Sequence, residues 1–493
     1  MGVTPILPNS LHGLSRRRLM AMSGAFSLVG LTGRAAYGAT DVPLHIEVAE
    51  KAKALATPGA ILKMLIPQGS EANIRPVIEK FQDLSGVKLT TKSIAVDEMN
   101  AQLSLDGISG TANYDLALPA TFGIPDLASA GVILPLTAYA KYHEPDGFRD
   151  DILYSTGDTF DAETYGFQAD GDAYVMFYNK DWLEDPTEQA RFADQHGHVL
   201  EIPRTWEELD RQMAYFHRPE EGRYGGALFR TPGYLAWEWW LRFHAKGIWP
   251  LSADLEPQIA SDAGIEALEE MMRATQSLYP QARSAGLFEN WKHYGAGNTF
   301  ANIGWGGSQK YLNGPKSKIA GRMLYSLTPS GYVDGVHVNL PYFNWGWNYV
   351  VTTASTQPEL AYLFALFAST SEISTLAVRE QEGYFDPVRS EHYVDPVIQK
   401  IYSREFLDVH RKSMENAIPD LYLAQQSEYF QVLSKWLDAA VNGDTNPAEA
   451  LQRVSTQWSL LNLRVGKASQ TARWRELKTK YPQNAQKVFR DLP

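Results

Sequence analysis

Two periods of hydrophobic and polar positions alternate along most of the chain. ILKMLIP, residues 61–67, is an apolar run of strand length that ends in a polar turn, QGSEAN. Beyond it Ile74, Val77, Ile78 and Phe81 recur at helical spacing, and Gly86 supplies a stop. VKLTTKSI (87–94) and YDLALPA (114–120) are the next strand candidates, and GDAYVMFYNKDWL (171–183) packs six consecutive apolar or aromatic side chains into strand length. PRTWEELDRQMAYF (203–216) predicts a helix capped by Thr205, with Glu207 and Glu208 in its first turn. The pattern further predicts a long amphipathic helix over 259–281, a buried helix over 358–370 opened by Pro358, and a largely helical region over 419–463. Strands and helices alternating in this way form α/β layers around parallel sheets.

At 493 residues the chain is too long for one growing core, so two or more domains are expected. Yet no repeat, low-complexity segment or Pro/Ser-rich joint separates them. Interleaving solves this, with short strands carrying the chain between lobes more than once. A cleft between lobes is a common ligand site.

Charge adds an address. LSRRRLM (14–20) precedes the small and apolar run AMSGAFSLVGLTG, and residues 1–39 hold four arginines and no acid. That is the order of an export signal, too short and glycine-rich for a membrane span. Ser15–Met20 also resembles the twin-arginine motif. Without residues 1–39 the net charge of -12 becomes -16, which argues against nucleic acid as a partner. The absence of cysteine excludes disulfides, thiolate metal sites, cysteine nucleophiles and a lipidated cysteine anchor. The expected product is a soluble periplasmic monomer, not embedded in a membrane.

Catalytic motifs do not emerge. HExxH, GxSxG and the phosphate-binding GxxxxGK[ST] do not occur, and SGVK (85–88) lacks the companion motifs of an SxxK enzyme. The histidines are dispersed, and GDTNPAEA near 443 lacks the later ligands of a calcium loop. No catalytic residue, metal or cofactor is therefore expected. Glu238, among Trp237, Trp239 and Trp240, has three readings: a general acid of raised pKa, a hydrogen-bonding partner for a sugar, or a solvent-facing helix residue. What is enriched is aromatic surface, with 13 Trp, 25 Tyr and 20 Phe. Tyr174, Trp237, Trp305, Tyr342, Trp345, Trp347 and Phe385 stand beside glycines or at strand ends, where flat rings with polar neighbours suit a polyhydroxylated ligand. Trp305, between Gly304 and Gly306-Gly307, implies an exposed turn or a close backbone approach.

In order and spacing these segments resemble the extracellular solute-binding proteins of ABC importers, the large family with maltose- and other sugar-binding members. The resemblance covers essentially the whole chain after the export segment. It rests on the strand–turn–helix from Ile61 to Leu89, on GVILPL, on the crossing strand ending Tyr178-Asn179-Lys180, on PRTWEEL, on NTFANIGWGGSQKYL and on WNYVVTTASTQPELAYLFALFASTSE. GYFDPVRS departs from the family's loop by one extra residue before the proline.

The resemblance implies a periplasmic-binding-protein-like type II α/β fold, with two interleaved α/β lobes and a ligand cleft between them. Lobe 1 would comprise 40–171 and 348–385; lobe 2 would comprise 172–347 and 386–493, with a helical C-terminal region. It places Gln68, Ser70, Thr121, Phe122, Asp172, Tyr174, Trp305, Phe385, Asp386 and Arg389 at or near the ligand, and the aromatic settings add Trp237, Glu238, Trp345 and Trp347. Trp305 and Trp347 would stack on it, while Gln68, Asp172, Glu238 and Arg389 would supply directional hydrogen bonds. The implied function is capture of a sugar or sugar alcohol and its delivery to the transmembrane subunits of an ABC permease. The alternatives are a cationic amine or an anionic solute, a glycoside-acting enzyme, or a sensory protein.

Overall fold

The computed structural model describes residues 42–110 and 114–492, so the export segment 1–39 lies outside the described residues. Ile61–Pro67 is a central strand of a five-stranded sheet, in the order Lys88–Ile94, Ile61–Pro67, Leu116–Ala117, Asn348–Val351, Gly166–Gln168. The first three run parallel, and Asn348–Val351 lies antiparallel to both its neighbours. A strand covered on both faces explains the unbroken apolar run at 64–66. Lys88–Ile94, at the sheet edge, buries only Leu89 and carries Lys88 and Lys92, charges that discourage further strand pairing.

The helix Glu71–Ser85 buries Ile74, Val77 and Phe81 as its period predicts, and ends at Gly86 in the left-handed conformation. Phe81 meets Phe364 and Phe367 edge-on, each at 5.1 Å. Those two rings belong to Pro358–Ser369, buried from Leu360 onward. Among the described residues no single helix is long and apolar enough to cross a membrane.

The second sheet is ordered Met323–Ser326, Val175–Asn179, Thr299–Gly304, Tyr224–Ala227. Val175–Asn179, the predicted crossing strand, is buried throughout and antiparallel to both neighbours. The predicted cap at Thr205 is present: Glu208 N donates to Thr205 Oγ1 at 3.2 Å, and Thr205 N donates back to Glu208 Oε2 at 3.2 Å. The helix expected over 259–281 is shorter, Asp262–Thr275. Its C-terminal extension instead lies along the sheet, where Tyr279 N donates to Gly226 O at 3.1 Å. Tertiary pairing overrides the helical period there.

One sheet draws its strands from 61–168 and 348–351, the other from 175–326, so the chain returns between them. The first crossing is 169–174. The second, 343–347, pairs with it through an Ala173–Phe343 bridge. A third passage, 379–395, leads from Ser371–Val378, packed against Glu71–Ser85, to Pro396–Tyr402 and Arg404–Asn416, which pack against the second sheet's side.

Candidate functional site

Trp305 stands directly after the buried strand Thr299–Gly304 and directly before the helix Gly306–Leu312. It is 4 % exposed, so its glycines do not mark an exposed turn. They permit close approach. A Cβ on Gly306 would lie 2.4 Å from the Asp386 carboxyl carbon, and one on Gly304 2.4 Å from Ser308 Oγ. The indole donates from Nε1 to Asn344 Oδ1 at 3.0 Å.

Around this ring the crossings bring together a box of aromatics. Tyr174, from the first crossing, lies 4.8 Å from Trp305. Trp345, from the second, is 6.2 Å away edge-on, and Trp237 meets Trp305 perpendicularly at 6.2 Å. Trp345 also stacks on Tyr234 at 5.9 Å and receives Phe122, from the first sheet's loops, at 5.6 Å. Trp347 closes the far side against Tyr384 of the third passage at 6.2 Å. Rings from both sheets thus face one another directly.

Between the rings lies a crevice of only ≈ 30 Å³, walled by Asp172, Trp291, Trp305, Trp345, Trp347 and Tyr384. That is the scale of one or two water molecules. Trp345 also walls a much larger groove of ≈ 870 Å³, which runs past Asp97, Phe122, Asp126, Trp237 and Asp420. Asp126, Asp420 and Gln426 line this groove, and one oxygen of each, Asp126 Oδ1, Asp420 Oδ2 and Gln426 Oε1, is turned away from solvent. Of the companion oxygens, Asp420 Oδ1 accepts from Tyr342 Oη at 3.0 Å and Leu421 N at 2.8 Å, and Asp126 Oδ2 accepts from Ser427 N at 3.0 Å. Burial raises the Asp97 and Asp126 carboxyls and pushes Asp420 up to about 7. The groove therefore combines apolar ring faces with carboxyl and amide side chains.

Six of the sequence-derived rings converge on this box, Phe122, Tyr174, Trp237, Trp305, Trp345 and Trp347, with Asp172 in the crevice wall. Others do not. Glu238 is 3 % exposed, and its carboxylate accepts from Arg230 Nη2 at 3.0 Å and Arg242 Nε at 2.9 Å. Although burial acts to raise its pKa, the two arginines overcome it and hold Glu238 below the usual carboxylate range. This corrects both the general-acid and the sugar-bonding readings, because its lone pairs face guanidinium groups rather than the groove.

Arg389 is likewise enclosed. It donates from Nε to Ser369 O at 2.9 Å, pairs with Asp151, and lies over the Phe148 ring at 4.8 Å. Its expected directional bond to a ligand gives way to these partners. Phe385 is buried, with its carbonyl accepting from Lys310 Nζ at 2.8 Å. Ser70 Oγ donates to Pro67 O at 2.7 Å, Thr121 Oγ1 to Asn348 Oδ1 at 2.6 Å, and exposed Gln68 accepts through its carbonyl from Tyr384 Oη at 3.3 Å. Asp386 lies behind the box, beside Gly306.

Sequence reasoning missed Tyr234, Trp291, Tyr384, Asp97, Asp126, Asp420 and Gln426. Tyr234 and Tyr384 were legible as neighbours of singled-out residues, in GYLAWEWW and GYFDPVRS. Asp420 and Gln426 carried no local signal; the C-terminal helical region brings them to the groove.

A comparison with curated protein sequences finds no match. Solved structures match the fold along most of its length. A solute-binding protein of an ABC transporter from Agrobacterium radiobacter, in complex with ribitol, is 19 % identical at a TM-score of 0.70, covering 82 % of this chain and 99 % of its own. Maltose-bound MalE3 of T. maritima is 16 % identical at 0.68, covering 82 % and 100 %. A cyclic α-maltosyl-1,6-maltose binding protein from Arthrobacter globiformis is 15 % identical at 0.62, covering 83 % and 100 %. These likenesses give the two-lobed periplasmic-binding-protein-like fold, in agreement with the interleaved sheets. A family model, bacterial extracellular solute-binding protein, matches residues 77–401, a span that takes in all three passages between the sheets and all the rings of the box. With two-thirds of its length under that match and both sheets in place, the chain belongs to the bacterial extracellular solute-binding protein family.

Proposed function

We propose that the protein captures a polyhydroxylated solute, a sugar, oligosaccharide or sugar alcohol, between its lobes and delivers it to the transmembrane subunits of an ABC permease. One observation carries this reading: a box of aromatic rings opens onto a groove lined by polar side chains, among them Asp97, Asn100, Asp126 and Gln431. Sugar hydroxyls hydrogen-bond to such side chains, and the C–H faces of a sugar ring lie flat on indole and phenol rings. Ribitol, maltose and a cyclic maltosyl-maltose in the related structures are ligands of this class.

At ≈ 30 Å³ the crevice beneath the rings is too small for a sugar. Entry there requires the lobes to part by bending at 169–174 and 343–347, and closure then brings Phe122 and Trp345 from opposite sides onto the solute. We assign the arginine-rich N-terminus to export, the folded chain to the periplasm as a monomer, and no catalytic step to the site. Glu238 is held ionised by two arginines, so it is not available as the general acid of a glycoside-cleaving reaction.

Native mass spectrometry of protein purified gently from its own cells, with accurate mass of whatever denaturation releases, tests the reading. A stoichiometric, chemically unaltered sugar or polyol is expected. A nitrogenous cation in its place would overturn the ligand class, and a hydrolysed saccharide would overturn the absence of catalysis.

A further inference from the structure

Beyond residue 401, where the family match ends, the chain adds the helices Gln426–Val441, Pro447–Val465 and Lys467–Lys480. By packing they belong to the second-sheet lobe. The first two lie against Asp262–Thr275, and Trp474, on the last, donates from Nε1 to Leu251 O at 3.1 Å. Polar contacts tie the same helices to the first-sheet lobe. Ser427 N donates to Asp126 Oδ2 at 3.0 Å. Further along, Arg473 forks onto Asp161, from Nε to Oδ1 and from Nη2 to Oδ2, both at 2.7 Å. Its guanidinium also lies 5.0 Å from the centre of the Phe160 ring.

Both partners are held in position before they meet. Phe160 and Asp161 stand at the tip of a hairpin, Thr159–Phe160 paired with Glu163–Thr164, which leads directly into the strand Gly166–Gln168 of the first sheet. Leu136 N anchors it by donating to Thr164 O at 2.6 Å. The two-residue loop is Asp161-Ala162, with φ of 50° and 62°. A tight hairpin demands this left-handed twist, which aspartate tolerates and alanine adopts under strain. Across the gap, buried Gln470 braces Arg473 by accepting from Nη1 at 2.9 Å, and is itself held by Ala424, to whose carbonyl it donates at 3.0 Å. Such bracing reduces the side-chain freedom that an exposed ion pair gives up.

Open space flanks the contact. A cavity of ≈ 600 Å³ lies on one side and a crevice of ≈ 30 Å³ on the other, and Phe160, Asp161 and Arg473 line both. The Arg473 side chain is 18 % exposed and that of Asp161 45 %, so water can replace either partner when they separate. A fully buried pair would instead strand a charge. Neither residue lines the ring crevice or the long groove.

We propose that the Phe160–Asp161 tip and Arg473 form a releasable latch between the lobes, which favours the closed arrangement of the solute-free chain and lets go as the lobes part. The latch rests on the parting of the lobes proposed above and is independent of which solute the cleft takes.

The chain has no cysteine, so two introduced thiols take spin labels uniquely. Tyr142→Cys and Val199→Cys put one label on each lobe, at side chains 79 % and 73 % exposed. Pulsed electron spin resonance on the solute-free protein then reads the distance between lobes. Arg473→Gln and Asp161→Asn should each raise the proportion of the longer distance by about threefold or more. Salt at about 1 M should do the same to the parent and little to either variant. Ala162→Gly, which relieves strain and keeps both partners, should leave the parent's distribution in place. Hydrogen-exchange mass spectrometry across 425–429 reads the same opening when it is rare, because the Ser427 amide is freed from Asp126 as the lobes part, and exchange there should be faster in both charge variants.

Distances and exchange equal to the parent's in both charge variants overturn the latch. So does a shift in Arg473→Gln that Asp161→Asn does not share, which would trace to the lost Gln470 brace. A salt-insensitive parent overturns it without any variant. No solute enters these measurements, so their failure leaves the sugar reading standing, and a different released mass leaves the latch standing.

Discussion

Replacing Glu238 by glutamine separates a structural carboxylate from a ligand-binding one. The side chain sits on the helix Leu235–His244, all ten residues of which are buried, between Arg230 and Arg242. Arg242 retains two bonds to Asp210 at 2.8 Å, and Arg230 retains Phe229 O at 2.8 Å and Thr275 Oγ1 at 2.7 Å. Glu238→Gln removes the charge that both guanidinium groups share and turns an NH₂ donor toward them. Breaking a buried ion pair from one side costs about 3–5 kcal/mol. Unfolding entropy of about 2.1 cal/mol/K per residue, over the roughly 450 residues of the folded chain, amounts to about 1 kcal/mol/K, so Tm should drop by about 3–5 °C.

The effect has a pH signature. The folded pKa of Glu238 lies below its unfolded value, so the carboxylate's contribution is complete at neutral pH and is lost as pH falls through the folded value. The gap in Tm between parent and Glu238→Gln must therefore narrow in acid. Scanning calorimetry at neutral and acid pH measures this, and titration calorimetry with the natural solute should give an unchanged Kd for the folded variant. An unchanged Tm together with a Kd weakened tenfold or more would refute the reasoning and return Glu238 to the ligand.

Three further outcomes are expected. Trp345→Ala removes the ring shared by the crevice and the groove, and at about 0.5–1.5 kcal/mol for each aromatic pairing with the solute it should weaken binding by about tenfold in titration calorimetry. Gly306→Ala would set a Cβ 2.4 Å from the Asp386 carboxyl carbon, and overpacking of about 1–3 kcal/mol should appear as a lower urea midpoint with an unchanged m-value. Asp420, pushed up to about 7 in the folded state, loses stabilisation as pH rises from its unfolded value through that point. Asp420→Asn should flatten the decline in Tm between pH 5 and 8; a slope equal to the parent's would exclude Asp420 as its source.

Whether a feature could be read from the sequence depended on how far apart in the chain its causes lie. The central strands and the helix Glu71–Ser85 follow from local period, because each buries a face set by residues a few positions apart. Interleaving followed from chain length without a linker, and the rings of the box from their glycine-rich or strand-end settings. Glu238 shows where local reading fails. Its tryptophan neighbours suggested a ligand surface, but Arg230 and Arg242, eight residues before it and four after, take its oxygens once the helix is buried. The acceptors Asp420 and Gln426 fail in the opposite direction: they look ordinary in sequence and gain meaning when the C-terminal helices close the groove.

The two faces of the hinge region differ in the same way. Aromatic residues announce themselves through bulk and composition, so the face of the crossings that carries the rings is legible. The opposite face is built from Asp170, Asp172 and Asp386, on passages that only tertiary structure brings together. Trp305 stands at the join. Its glycines are required because Asp386 and Tyr384 press against the backbone from the third passage, with Gly307 placing a Cβ 3.0 Å from Tyr384 Cβ. A small-residue stretch beside a large ring thus marks the point where the aromatic face and the carboxyl face of the crossings come within one backbone thickness of each other. Added bulk there should disturb both, loosening the Trp305 ring and displacing Asp386 from its two companion carboxylates.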